Sequence, residues 1–166
     1  MSEEDLGHCR HAGWTLAHCP TSNLFLGSGA FRLFDALKPD RPVHVALGTD
    51  IGAGTSLSLL ATMGEAYKVS LMAGDTRLSA AQALWLATAG AARALHLHDR
   101  IGHIAPGMEA DLCVMDPHAT PLMAQRSART TTLAERLFTL MVLGDDRAIR
   151  ATWVNGKVVH NRAEAA

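Results

Sequence analysis

The run Val43-His44-Val45-Ala46-Leu47 stops at Gly48-Thr49-Asp50 and passes directly into Ile51-Gly52-Ala53-Gly54-Thr55. A short β-branched run bounded by glycine reads as a buried strand. An acid at its C-terminal end stands where parallel α/β folds do their chemistry, because the loops that leave the strands gather at that edge. Asp50 is therefore the first candidate functional residue. A plainer reading stays open beside it. An Asp ahead of a helix also interacts well with the helix dipole, by a few tenths to about 1 kcal/mol. The residues alone do not choose between capping and chemistry.

The surrounding pattern alternates strand and helix. Residues 2–11 read as a helix capped by Ser2 and ended by Gly13, and 14–19 as a strand stopped by Pro20. Thr21-Ser22-Asn23 reads as a polar turn and Gly27-Ser28-Gly29 as a loop. Residues 30–38 and 55–73 carry helical spacing, and Ser79 with Gln82 has capping-box spacing for a helix running to about residue 95. The pattern then changes. Glycines punctuate 101–107, residues 110–116 read as a strand, and 132–143 as a helix ending at Gly144. Residues 149–154 and 157–160 flank Asn155-Gly156, a strong hairpin signal. The expected organisation is an α/β unit over 1–104 with parallel strands, then a β-rich segment with one helix over 105–166.

Composition narrows the function classes. The chain of 166 residues is 48% hydrophobic and carries a net charge of −1. With no long basic run, nucleic-acid binding is not expected, because phosphate neutralisation needs clustered Lys and Arg. No apolar stretch approaches the roughly 20 residues of a membrane span. Met-Ser-Glu-Glu-Asp lacks the apolar centre of a secretory signal. Cys9, Cys19 and Cys113 are odd in number and widely spaced, which argues against a disulfide framework and for a reducing, cytoplasmic setting.

Several motifs have plain readings. Gly52-Ala53-Gly54 after a strand raises a dinucleotide cradle, but Leu57 stands where a third glycine belongs. Asp75 lies at the distance of a ribose acid, yet in a turn after a helix, and no P-loop lysine follows. Nine histidines suggest a metal, but most lie in polar helices or loops. His18 and His44 lie in strands, where a lone histidine is more often a packing residue than a ligand. The spacing is read as offering no HxH, no HExxH and no HxE with PCxxC, and the last absence excludes the cytidine-deaminase type of zinc site. His18 and Cys19 are adjacent on a strand and point to opposite faces, so they form no catalytic pair. Cys19 reads as a small packing residue.

Taken together, these motifs resemble a known family. Ala17-His18-Cys19-Pro20-Thr21-Ser22-Asn23-Leu24, Gly27-Ser28-Gly29 and Gly48-Thr49-Asp50-Ile51-Gly52-Ala53-Gly54 resemble the last two barrel strands of the amidohydrolase superfamily. Ile101-Gly102-His103-Ile104-Ala105-Pro106-Gly107 with Ala110-Asp111-Leu112 resembles its passage from barrel to β-sandwich. Glu65-Ala66-Tyr67-Lys68-Val69 and Leu143-Gly144-Asp145-Asp146-Arg147 are similar to segments of its guanine deaminases.

The resemblance implies the C-terminal part of a (β/α)8 barrel followed by strands of a composite β-sandwich. It implies a zinc enzyme that hydrolyses guanine, with Asp50 as metal ligand and catalytic carboxylate. The complete enzyme would be a homodimer with no nucleic-acid or membrane partner. The family's other ligands, an HxH on the first strand and histidines on the fifth and sixth, have no match here, and neither does its general-acid Glu. A whole barrel takes about 250 residues, so this chain is expected to be a fragment that holds no zinc and is inactive alone. As a piece of barrel it is expected to leave Leu16, Val45 and Leu47 uncovered. Two alternatives stand: another amidohydrolase acting on a heterocycle or a chlorinated triazine, and a non-catalytic truncated chain.

Overall fold

A computed structural model of the chain describes residues 1–74 and 76–162, and the reading of Asp75 lies outside them. Helix α1 (Glu3–Ala12) opens with a capping box. The Ser2 hydroxyl accepts the Asp5 N–H, and the Asp5 carboxylate accepts the Ser2 N–H. Strand β1 (Thr15–His18) follows, then α2 (Pro20–Phe25), α3 (Leu33–Ala36) and strand β2 (His44–Leu47). The two strands are parallel, in register from Thr15 opposite His44 to His18 opposite Leu47. Helices α4 (Leu59–Ala73), α5 (Ala80–Ala87) and α6 (Ala89–Ala94) complete this region.

Local chemistry departs from the sequence reading in four places. Pro20-Thr21-Ser22-Asn23 begins a helix rather than a turn, because proline at the first helical position loses no hydrogen bond and brings a helical φ. The helix expected over 30–38 is only four residues long, hemmed in by Gly29 and Pro39 and without a side-chain cap. The one expected from residue 55 starts at Leu59, where Ser58 caps it by accepting the Ala61 N–H. The one expected to run unbroken to residue 95 breaks at Thr88, which separates α5 from α6 with φ −130° and ψ −101°.

The core gathers under the helices. Val45 and Leu47 are 2% and 6% exposed and pack with Leu33, Leu60, Met63 and Leu86. Leu16 is half-buried against the same cluster. This corrects the expectation that all three would lie uncovered. In-register neighbours of a parallel pair point the same way, with side chains alternating along each strand. The large apolar residues therefore share the helix-covered face. Ala17 and His44 on the other face are the exposed ones.

The second region holds strand β3 (Leu112–Met115), α7 (Pro121–Ser127), α8 (Leu133–Leu143), a 3-10 turn (Asp146–Ala148), and strands β4 (Ile149–Val154) and β5 (Lys157–Asn161). The sheet is antiparallel in the order β3-β4-β5. Two helices stand where one was expected. The extra helix, α7, starts on Pro121 behind a Thr120 cap, and its Met123 is fully buried. Helix α8 begins with the Thr132–Glu135 capping box and seats on α4 and α5. Tyr67 and Phe138 meet edge to face at 5.4 Å. A Cβ on Gly64 would lie 2.7 Å from the Met141 carbonyl oxygen, so α4 and α8 touch through their backbones.

Candidate functional site

Parallel pairing carries β1 and β2 out of the sheet side by side. The Gly48 N–H donates to the His18 carbonyl at 3.1 Å, one step beyond the last paired residues. Asp50 follows two residues later, with φ 48°. Its carbonyl oxygen accepts the Ala53 N–H at 3.1 Å and the Gly54 N–H at 2.5 Å. A Cβ on Gly54 would fall 1.9 Å from the Thr49 carbonyl oxygen. The glycine is thus required for the chain to fold back against the backbone that carries Asp50.

The Asp50 side chain is exposed, and one of its oxygens is held. Ser22 Oγ donates to Asp50 Oδ2 at 2.6 Å. Ser22 is 2% exposed and comes from α2, the helix that starts as β1 ends. Among the described residues Oδ1 accepts no hydrogen bond. Helix capping does not occupy this carboxylate, because α4 begins eight residues downstream of Thr49-Asp50-Ile51's last member and is capped by Ser58. The same spacing removes the nucleotide cradle, since the glycine turn does not open onto the helix N-terminus.

Cys19 lies on the same side. A Cβ on Gly48 would come within 3.1 Å of its Sγ, so the thiol fills the space that glycine leaves. Burial, and then the Asp50 charge, push the Cys19 pKa up, which keeps the thiol protonated and unsuited to attack. His18 faces the helix-covered side. It is 2% exposed, its ring tilts against Phe31 at 5.2 Å, and neither ring nitrogen has a hydrogen-bond partner among the described residues. Burial lowers its pKa to about 4, so it is neutral near pH 7. Both residues behave as packing residues.

The reading that the chain offers no HxH is incorrect: His96-Leu97-His98 is one. It lies in the turn after α6 with both histidines exposed, not on a strand. The His96 ring stands 6.5 Å from that of His44. Among the described residues no group of three or more His, Cys, Asp or Glu is placed to hold a metal ion. Asp50 fits the part of a single ligand, a carboxylate with one oxygen anchored and the other without a hydrogen bond among the described residues. Zinc takes about four ligands, and the remainder of such a set is not assembled by the described residues. Sequence reasoning found Asp50 but not Ser22 beside it, because nothing local links positions 28 residues apart.

Comparisons with known proteins show what the chain is similar to. A model of the amidohydrolase family matches residues 4–159. Over 162 residues the chain is 51% identical to guanine deaminase of Escherichia coli (strain K12), an alignment that covers 98% of this chain and 36% of that enzyme. The solved structure of E. coli guanine deaminase superimposes with a TM-score of 0.93 at 47% identity, covering 98% of this chain and 37% of that one. An adenosine deaminase from Xanthomonas campestris, solved with bound zinc, gives 0.82 at 29% identity and covers 99% and 36%. The chain thus spans about a third of the length of the relatives it matches. The mixed α/β arrangement is a partial segment of the fold those structures hold.

Proposed function

The chain belongs to the amidohydrolase family, and on that premise we propose that it supplies the Asp50 edge of a zinc-dependent guanine deaminase, which converts guanine and water to xanthine and ammonia. The observation that carries the reading is the Asp50 carboxylate. It stands past the C-terminal end of a parallel strand, is anchored through one oxygen, and has no structural duty on the following helix. Identity of 51% to a guanine deaminase over almost the whole chain supports the substrate. We divide the chain at 104/105, with the parallel pair and its helices in the barrel and the antiparallel strands in the β-sandwich. The change from parallel to antiparallel pairing supports that division.

Zinc, when bound, supplies Lewis acidity that brings the pKa of water toward about 7. Asp50 would offer a carboxylate oxygen as one ligand, and its carboxylate would accept the proton released by the attacking water. The glycine turn fixes the Cα from which that carboxylate leaves. Cys19 and Gly48 pack the floor beside it. The whole enzyme works as a cytoplasmic homodimer in this reading. Three free cysteines support a reducing compartment, and no helix among the described residues is long and apolar enough to cross a membrane.

The test is reconstitution. Fusing the chain to the upstream portion of the E. coli relative should give an enzyme that releases ammonia from guanine. The 166-residue chain alone, with added zinc, should release none. Ammonia from the chain alone, or an inert fusion that is folded and metal-loaded, would overturn the proposal.

A further inference from the structure

We propose that Ser22 is a positioning residue for Asp50, holding Oδ2 so that Oδ1 is the oxygen left for a metal ion. The inference rests on the reading of Asp50 as a ligand.

Ser22 is 2% exposed, so its hydroxyl must find a partner inside the protein. A serine within a helix commonly bonds back to the carbonyl one turn earlier. Ser22 instead donates to a carboxylate 28 residues away, at 2.6 Å. A hydrogen bond to an ionised acceptor is among the shorter and stronger kinds. The bond also does nothing for its own helix, because the start of α2 has no side-chain cap.

At the other end the Asp50 backbone is already fixed. Its carbonyl is pinned by Ala53 and Gly54, and its φ is set at 48°. What remains free is rotation of the side chain, and the Ser22 bond removes it. The same contact helps tie together the two strand exits, from β1 and from β2. Groups that hydrogen-bond a ligating side chain orient it, and their loss costs about 10–100-fold in metal affinity or activity.

The experiment uses the chain fused to the upstream portion of the E. coli relative, in three forms: unsubstituted, Ser22→Ala and Asp50→Asn. Zinc affinity is read by competition with a chelator, and the melting temperature is read on the metal-free protein. Ser22→Ala should weaken zinc about 10–100-fold while leaving the metal-free melting temperature within a degree or two, as a small hydroxyl deletion in a retained backbone allows. Unchanged zinc affinity in Ser22→Ala would overturn the inference. So would weakened affinity with an equally clear drop in metal-free melting, because Ser22 would then be supporting the fold. Asp50→Asn separates the two claims. If it loses zinc while Ser22→Ala does not, the role of Ser22 fails alone. If neither loses zinc, the reading of Asp50 as a ligand fails with it.

Discussion

Asp50 and Asn155 leave their strands with the same backbone angle, φ 48°, yet their surroundings are arranged differently. At the hairpin everything points inward to the turn. Asn155 and Gly156 take the left-handed conformation that a two-residue connection requires. The Asp111 carboxylate accepts the Asn155 N–H at 2.7 Å, and the Ala110 carbonyl accepts the Gly156 N–H. At the other site the backbone is secured by its own glycine turn, and the carboxylate is turned outward with a single hydroxyl holding it. One aspartate spends its acceptor on structure, while the other keeps an oxygen in reserve. Asp and Asn tolerate this region of φ better than most residues, so the angle alone marks nothing. What distinguishes the two sites is where the carboxylate oxygens go.

The glycines sharpen the comparison most. Gly54→Ala drives a Cβ to 1.9 Å from the Thr49 carbonyl oxygen, and should cost on the order of 3 kcal/mol, the upper end for forced overpacking. Gly156→Ala meets nothing within 4 Å, and should cost only about 1 kcal/mol from its left-handed backbone. Denaturant unfolding of both variants measures the gap. Equal costs would mean that the Asp50 turn is not the tightly closed one.

Acid should act on the parallel region through His18. Its folded pKa is about 4 against an ordinary 6.5, lowered by burial. Between those values the unfolded chain binds the proton and the folded chain does not, so stability falls as pH falls from 6.5 toward 4. At 1.36 kcal/mol per unit the total is about 3 kcal/mol. Unfolding followed at several pH values should show this slope in the parent and a flatter one in His18→Leu. Identical slopes would show that the folded state accommodates the protonated imidazolium and that burial does not depress its pKa.

The smallest effect concerns the hairpin. Asp111→Ala removes an exposed hydrogen bond to the turn, worth about 1 kcal/mol. It should lower the melting temperature slightly and leave guanine turnover in the reconstituted enzyme unchanged. A fall in turnover would mean that the antiparallel region reaches the chemistry.

The parts of this arrangement that were legible in the sequence are those set by near neighbours. Strand β2 shows in its β-branched run, the β4–β5 hairpin in Asn155-Gly156, and α8 in the Thr132–Glu135 box. Helices α2 and α7 were missed for a shared reason. Both begin on proline amid Ser, Thr or Asn, a composition that serves helix starts and turns alike. The burial of Val45 and Leu47 depends on helices that arrive from later in the chain. At the candidate site Asp50 was visible as an acid closing a strand. Its bond to Ser22 was not, because the contact exists only once β1 and β2 lie parallel.

The central claim is that Asp50 is a zinc ligand and Asp111 is a structural acid. Metal content of the purified fusion to the upstream portion of the E. coli relative, measured after dialysis against a weak chelator, decides it directly. The account predicts one zinc per chain in the parent and in Asp111→Asn, and loss of zinc in Asp50→Asn. Full zinc in Asp50→Asn would contradict it and remove this carboxylate from the metal site.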